Sequence, residues 1–179
     1  MGKKVLVIST SLRSNSNSDA LAKAFAEGAK EAGNEVTEVS LKDKNIGFCK
    51  GCLACLKLGH CVRKDDAVKI AEQMHDAEVI VFATPIYYYE MAGQMKTLLD
   101  RVNCLYGTDY AFKEVYMLST AAEDEEGVDS RSVSGLEGWI ACFDRAKLAG
   151  TVFAGGVDEA GTIAGHPSLE KAVRMGNAI

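Results

Sequence analysis

Apolar and polar residues follow two patterns that take turns along the chain. Short, nearly continuous apolar runs at residues 5–8, 79–82, 115–118 and 151–154 predict strands that are buried on both faces. The segment 36–41 also has strand character, but charged residues interrupt it. We therefore expect it to be a strand at the edge of a sheet.

Between these runs, apolar residues recur at helical spacing. The pattern predicts helices that begin near Asp19 and at Asp65-Asp66, and further helices around residues 95–102, 136–143 and 169–176. Strand and helix thus alternate five times, which predicts an α/β fold with a five-stranded parallel sheet between two helical layers. The common strand order for such a doubly wound, flavodoxin-like sheet is 2-1-3-4-5. We expect one domain over residues 1–179.

Composition narrows the function classes. The chain is 47% hydrophobic and 25% charged, with a formal net charge of −5. An acidic balance argues against nucleic acid or an anionic membrane as a partner. We expect no signal peptide ahead of the first strand. No apolar run is long enough to cross a bilayer, and the chain has six Cys. We expect a cytoplasmic protein whose Cys residues are free thiols or metal ligands.

The segment after the first strand is rich in hydroxyl and amide side chains and contains Arg13. A polar turn between a buried strand and a helix suits a phosphate, because the first turn of a helix offers unpaired N–H groups and a positive dipole end. Arg13 adds a charged fork. An ordinary helix-capping loop would have a similar composition.

The segment after the third strand, residues 84–91, contains three adjacent tyrosines, Tyr87 to Tyr89. In the predicted order it lies beside the first loop at the point where ligands bind in such sheets. Aromatic rings there suit a flat ring system, although they could also cover the sheet end or contact a partner subunit. A phosphate site beside an aromatic loop favours FMN, which flavodoxin binds at the same point.

Four of the six Cys lie close together, with the spacing C-x2-C-x2-C-x5-C. They are Cys49, Cys52, Cys55 and Cys61. Short gaps of this kind suit a [4Fe–4S] cluster. Two alternatives remain open: a zinc site, with His60 as a further ligand, and reduced thiols on a surface loop. We expect Cys104 and Cys142 to be packing thiols.

Two further expectations concern the surface. Lys96 and Arg101 should present charge on a helix surface, or pair with Asp100 or a neighbouring subunit. The aromatic residues are numerous for the surface of a small domain, which predicts a homodimer or homotetramer. They are Tyr87 to Tyr89, Tyr106, Tyr110 and Phe112.

Over its first two thirds, the chain resembles the flavodoxin-like NADPH-dependent FMN reductases, and within them the iron–sulfur flavoprotein branch. The motifs that carry the resemblance are Ser11-x-Arg13-x-x-Ser16-Asn17-Ser18, the four-Cys run, Asp65-Asp66, Thr84-Pro85-Ile86-Tyr87 and Lys96-x-x-x-Asp100-Arg101. One departure is Thr10-Ser11-Leu12-Arg13, where the family usually has Gly-Ser-Pro-Arg.

The resemblance implies a set of cofactor contacts. The phosphate contacts would be Ser11, Arg13, Ser16, Asn17 and Ser18. The isoalloxazine contacts would be Pro85, Ile86, Tyr87, Tyr88 and the loop Thr120, Ala121 and Ala122.

The resemblance also implies an FMN-dependent oxidoreductase that passes electrons from NAD(P)H to a quinone, a flavin or another small acceptor. No side chain need act as acid or base, because the cofactor carries the chemistry. The alternative is an electron carrier that takes electrons from a ferredoxin without turning over a small molecule. A third reading is a redox sensor whose Cys loop reports oxidation.

Overall fold

The computed structural model describes residues 2–179 and contains one sheet of six strands. The strands are β1 Lys4–Ser9, β2 Glu35–Ser40, β3 Val79–Tyr87, β4 Glu90–Met91, β5 Glu114–Thr120 and β6 Lys147–Ala154. The five long strands are parallel and lie in the order β2-β1-β3-β5-β6. This is the predicted arrangement, with β2 at the edge. The sequence did not predict β4, which pairs antiparallel with the end of β3.

Six α-helices flank the sheet. They are α1 Asn17–Glu31, α2 Cys55–Leu58, α3 Asp66–Asp76, α4 Gly93–Arg101, α5 Ser130–Ile140 and α6 Pro167–Asn177. A 3₁₀ turn, Val102–Leu105, follows α4 directly. Helix α1 begins two residues before the predicted start, because the Ser16 side chain accepts the Asp19 amide and caps it. The Asp65 side chain accepts the Ala67 amide and caps α3, which therefore begins within the predicted Asp65-Asp66 start.

Alternate residues of each strand separate the two halves of the core. Leu6 and Ile8 of β1 belong to a cluster with the inner faces of α3, α4 and α5. Val5 and Val7 belong to a second cluster with α1 and α6. A Cβ on Gly28 would lie 2.0 Å from the Val173 carbonyl oxygen, so α1 and α6 pack with their backbones in contact. None of the helices within residues 2–179 is long and apolar enough to cross a bilayer.

Strand β3 extends beyond the predicted end at Thr84-Pro85 and reaches Tyr87. The predicted end was wrong because Pro85 does not interrupt the pairing of β3 at this position. Strand β1 stops pairing at Ser9 opposite Ala83, so at Thr84 and Pro85 only β5 pairs with β3, with Pro85 opposite Thr120. Strand β4 then pairs with Ile86 and Tyr87. A proline without an amide hydrogen is tolerated where one side of the strand has no partner.

Two expectations about buried and exposed side chains were wrong. Tyr110 and Phe112 are buried and stack with ring centroids 4.4 Å apart, so they add nothing to an aromatic surface. The aromatic spacing alone could not separate core from surface here. Cys104 is buried as expected, but Cys142 is exposed, because α5 ends at Ile140 just before it.

The turn between β3 and β4 consists of two tyrosines in an unfavourable conformation. Tyr87 pairs with Glu90, which leaves Tyr88 and Tyr89 as a two-residue loop. Their φ angles are 52° and 66°, in the left-handed region. A two-residue hairpin with two positive φ angles corresponds to a type I′ turn, which normally carries Asn-Gly. The chain therefore tolerates local strain to place tyrosines at this position.

We predict that the double substitution Tyr88→Asn and Tyr89→Gly stabilises the protein. Each left-handed residue with a Cβ costs about 1–2 kcal/mol, and the Asn-Gly pair removes most of that cost. The free energy of unfolding, measured by urea denaturation without cofactor, should rise by about 1 kcal/mol or more. An equal or lower value would show that the two tyrosine rings stabilise the turn more than its conformation strains it.

Candidate functional site

The parallel register brings four loops to one edge of the sheet. Ser9 pairs with Ala83, Pro85 pairs with Thr120, and Thr120 pairs with Ala154. The segments that follow β1, β3, β5 and β6 therefore leave the sheet at neighbouring places. A cleft at this carboxyl edge is where open α/β sheets bind ligands.

A cleft of about 260 Å³ lies at this edge. It brings together all of the predicted cofactor residues except Ser18. Its lining from the predicted set is Ser11, Arg13, Ser16, Asn17, Pro85, Ile86, Tyr87, Tyr88, Thr120, Ala121 and Ala122. Ser18 is fully buried, with its Oγ 3.0 Å from the Ser16 Oγ. Its hydroxyl group therefore lies behind the cleft rather than on its surface.

Thr10 and Ser11 shape the first loop. The Thr10 amide and its hydroxyl group both donate to the Ala83 carbonyl oxygen, at 2.9 and 3.0 Å, and the side chain is buried. Ser11 Oγ accepts the Arg13 amide at 3.2 Å, which closes a local turn. A threonine in place of the family's usual glycine thus adds a bond that fastens the loop to β3.

Asn17 and Arg13 both reach the loop after β6. The Asn17 amide group donates to the carbonyl oxygens of Val157 and Glu159, and its Oδ1 accepts the amides of Gly161 and Ile163. Asn17 therefore organises this loop from the start of α1. Arg13 is exposed, and its Nη1 donates to the Asp158 carbonyl oxygen at 2.8 Å.

The loop after β6 contributes three cleft residues that the sequence analysis missed: Val157, Asp158 and Ala160. The loop also contacts the one after β5, since the Val157 amide donates to the Ala121 carbonyl oxygen at 2.9 Å. The predicted strand order contained a signal for this contact. The last strand neighbours the fourth in that order, so its carboxyl end must meet the same edge.

The chemistry of the cleft fits a phosphorylated flat ring. One end offers the Ser11 hydroxyl group, the Arg13 guanidinium and the start of α1, which are the donors that a phosphate accepts. The other end is formed by Pro85, Ile86 and the Tyr87 and Tyr88 rings. Apolar and aromatic walls with a few polar groups are typical of cofactor sites.

The four Cys of the predicted metal motif line a second, larger cavity of about 760 Å³. Within residues 2–179, no three side chains of the His, Cys, Asp and Glu types are arranged to hold a metal ion. All six thiols are free. The cavity is otherwise largely apolar, with Leu99, Tyr106 and Trp139 among its lining residues, and Cys142 borders it as well.

Arg101 lies under this cavity, and the expectation that it presents charge on the helix surface was wrong. Only 2% of the residue is exposed. Its guanidinium forms a two-pronged pair with Asp65, at 2.6 and 2.8 Å, and also donates to the Gly47 carbonyl oxygen and the Cys61 Sγ. Lys96 does pair with Asp100 on the helix surface, at 2.6 Å.

The surroundings of the Arg101–Asp65 pair shift the pKa values of Asp65 and of the nearby Cys104. Burial raises the pKa of Asp65, but the hydrogen bonds from Arg101 and from the Gly47 and Ala67 amides outweigh it and hold that pKa below its usual value. Asp65 is therefore charged at neutral pH. Burial raises the pKa of the Cys104 thiol, and the nearby Cys55 raises it further. Cys104 is thus an inert, protonated packing group.

The sheet order and the cleft at its carboxyl edge define a flavodoxin-like α/β protein. The sequence model of the NADPH-dependent FMN reductases matches residues 3–134, which is most of the chain. The chain belongs to that family. The assignment supports FMN binding.

Curated relatives are named iron–sulfur flavoproteins. One from Methanosarcina thermophila is 29% identical over 173 residues, which are 96% of this chain and 87% of the relative. One from Archaeoglobus fulgidus is 46% identical over 81 residues, which are 45% of this chain and 40% of the relative. The matched segment is thus less than half of the Archaeoglobus protein.

Solved structures with the same fold include two named oxidoreductases. The NAD(P)H:quinone oxidoreductase from Methanothermobacter marburgensis superposes with a TM-score of 0.74 at 18% identity, over 99% of this chain and 96% of its own. An azoreductase from Bacillus anthracis superposes with a TM-score of 0.72 at 18% identity, over 99% of this chain and 100% of its own. At 18% identity, these two structures establish the fold of the chain and nothing further.

We predict that Arg13→Ala weakens the binding of FMN far more than the binding of riboflavin, which lacks the phosphate. Loss of a charge-assisted hydrogen bond costs about 1.5–3 kcal/mol, or about 10- to 100-fold in Kd. Fluorescence titration of the apoprotein with each flavin measures both affinities. Lys42→Ala is the matched control, because Lys42 donates to Ser14 and does not line the cleft. Equal losses for the two flavins would show that Arg13 does not contact the phosphate.

Proposed function

We propose that this protein is an FMN-dependent oxidoreductase that takes electrons from NAD(P)H and passes them to a small acceptor such as a quinone or a flavin. The observation that carries the proposal is a single cleft that combines phosphate donors with an aromatic wall at the switch point of the sheet. The family assignment supports the flavin. The names of the quinone oxidoreductase and azoreductase neighbours support a small acceptor.

The residues of the chain would bind and orient, while FMN, when bound, supplies hydride and electron transfer. Ser11, Arg13 and the start of α1 would hold the phosphate. Pro85 and Ile86 would lie against the ring system, and the Tyr87 ring would shield part of it from water. Tyr88 stands at the rim of the cleft. Thr120 and the small side chains of the next two residues leave room for a substrate beside the ring. No side chain in this set needs to exchange a proton.

We further propose that the cysteine loop holds a [4Fe–4S] cluster. The four Cys share one cavity, and Arg101 and Asn103 donate hydrogen bonds to two of their sulfurs, at 3.3 and 3.4 Å. The names of the curated relatives support the same assignment.

Six free thiols without a disulfide suit a reducing compartment, which favours the cytoplasm.

The cysteine loop also supports a second function, that of an electron carrier. A cluster in that cavity would exchange single electrons with a protein of the ferredoxin type, without turnover of a small molecule. Exposed apolar side chains surround the thiols, Phe48 among them at 78% exposure. Such a surface suits a protein partner more than it suits a small polar substrate.

Rapid mixing separates the two functions. We expect NADH or NADPH to bleach the flavin absorbance of the anaerobic holoprotein within the time of turnover, and a quinone to restore it. If neither nucleotide bleaches the flavin while a reduced ferredoxin does, the reductase proposal fails and the carrier function stands. The same traces recorded with both nucleotides give the preference between NADH and NADPH.

The cleft also supports a homodimer or homotetramer. Its volume of about 260 Å³ is below the roughly 300–1,000 Å³ of ordinary ligand pockets, so one chain covers only part of a flavin. Tyr88 stands at its rim with 98% of its surface exposed. A second copy that packs on Tyr88 would complete the enclosure.

We therefore predict that the holoprotein has at least twice the mass of one chain in solution. Multi-angle light scattering at working concentration measures this mass. Tyr88→Ser should shift the population towards smaller species, because it removes the exposed ring at the cleft rim. A single-chain mass for the flavin-loaded wild type would contradict the oligomer.

A further inference from the structure

Arg101 is a buried cation that fastens the cysteine loop at both ends. Its side chain has no exposed surface, and its two terminal nitrogens use all four of their hydrogens. The acceptors are the Gly47 carbonyl oxygen, both Asp65 oxygens and the Cys61 Sγ. Gly47 precedes the first Cys of the motif and Asp65 follows the last. One side chain of α4 therefore closes the base of the loop.

Asn103 adds a second donor to the same loop. Its Nδ2 donates to the Cys55 Sγ at 3.4 Å. Asn103 lies in the 3₁₀ turn that continues α4, two residues after Arg101. The two donors are thus carried by a rigid segment, and they reach the two thiols of the motif that are partly buried.

A neutral thiol is a weak hydrogen-bond acceptor. A hydrogen bond to it offsets little of the desolvation cost of a buried guanidinium. A thiolate bound to a metal carries negative charge, and hydrogen bonds to it are correspondingly stronger. Arg101 also keeps one donor, its buried Nε, without a partner among residues 2–179. Arg101 is among the residues that line the cysteine cavity, and a buried donor without a partner is uncommon in native structures.

We propose that Arg101 and Asn103 are positioning residues for a [4Fe–4S] cluster on the cysteine loop, and that their N–H···S bonds raise its reduction potential. The inference rests on the cluster site of the proposed function. Hydrogen bonds to the cysteine sulfurs stabilise the more negative, reduced cluster, so their loss makes reduction harder. The contacts from Arg101 to Gly47 and Asp65 hold the loop in place before iron arrives.

The test compares four variants after anaerobic reconstitution with iron and sulfide: Asn103→Leu, its conservative counterpart Asn103→Gln, Arg101→Lys and Lys96→Met. Asn103→Leu has a similar volume but no donor to Cys55. Arg101→Lys keeps the charge but cannot form the fork to Asp65 and Cys61. Lys96→Met is the matched control, because it removes a positive charge from the same helix without touching a sulfur. The readouts are iron and sulfide per chain, the midpoint potential from a titration followed by electron paramagnetic resonance, and FMN content.

We expect Asn103→Leu to load iron as the wild type does but to show a more negative midpoint potential, which Asn103→Gln should partly restore. Arg101→Lys should lose at least half of its iron while it keeps FMN, which shows that the sheet remains folded. Lys96→Met should match the wild type in every readout. Because Asn103 pairs with no buried charge, its variant remains informative even where Arg101→Lys does not fold.

Two outcomes overturn the inference, and they are distinguishable. A wild-type potential in Asn103→Leu, with normal iron and FMN, would refute the role of the hydrogen bonds and leave the cluster site intact. A wild type that takes up FMN but neither iron nor sulfide would remove the cluster itself. In that case the flavin oxidoreductase would still be tested separately by rapid mixing with NADH and NADPH.

Discussion

The hydrogen-bond ladder of the parallel sheet is the constraint on which the site depends. Because β1, β3, β5 and β6 run in the same direction, four loops from distant parts of the chain leave the sheet at one edge. Thr10 fastens the first of these loops to β3, and Asn17 fastens the last to the start of α1. The cleft is therefore a consequence of strand order and of a few polar side chains, rather than of contacts within any one segment.

A second anchor acts on the opposite helical layer. The cysteine loop has little regular structure beyond one helical turn, Cys55–Leu58, and the buried pair of Arg101 and Asp65 holds its ends together. A buried ion pair contributes little net stability but is costly to break on one side. Such a pair suits a loop that must keep one geometry for a bound group. The flavin cleft and the cysteine cavity thus have separate anchors.

The sequence predicted most of what periodicity and turn chemistry control. The five long strands, their order, the start of α3 at Asp65-Asp66 and the gathering of Ser11, Arg13 and the loop after β3 follow from local patterns. The burial of Arg101 could not be predicted, because a cation at a helix end is usually solvated and its partner lies 36 residues away. The left-handed conformation of Tyr88 could not be predicted either, since no propensity favours tyrosine in that conformation.

The account stands on the binding of FMN at the carboxyl edge of the sheet. A crystal structure of the protein grown with FMN tests this most directly. The account predicts that the phosphate lies within hydrogen-bond distance of Ser11 and Arg13, and that the ring system lies along Pro85, Ile86 and Tyr87. A flavin bound elsewhere, or a cleft that Tyr88 closes while FMN is present in excess, would contradict it.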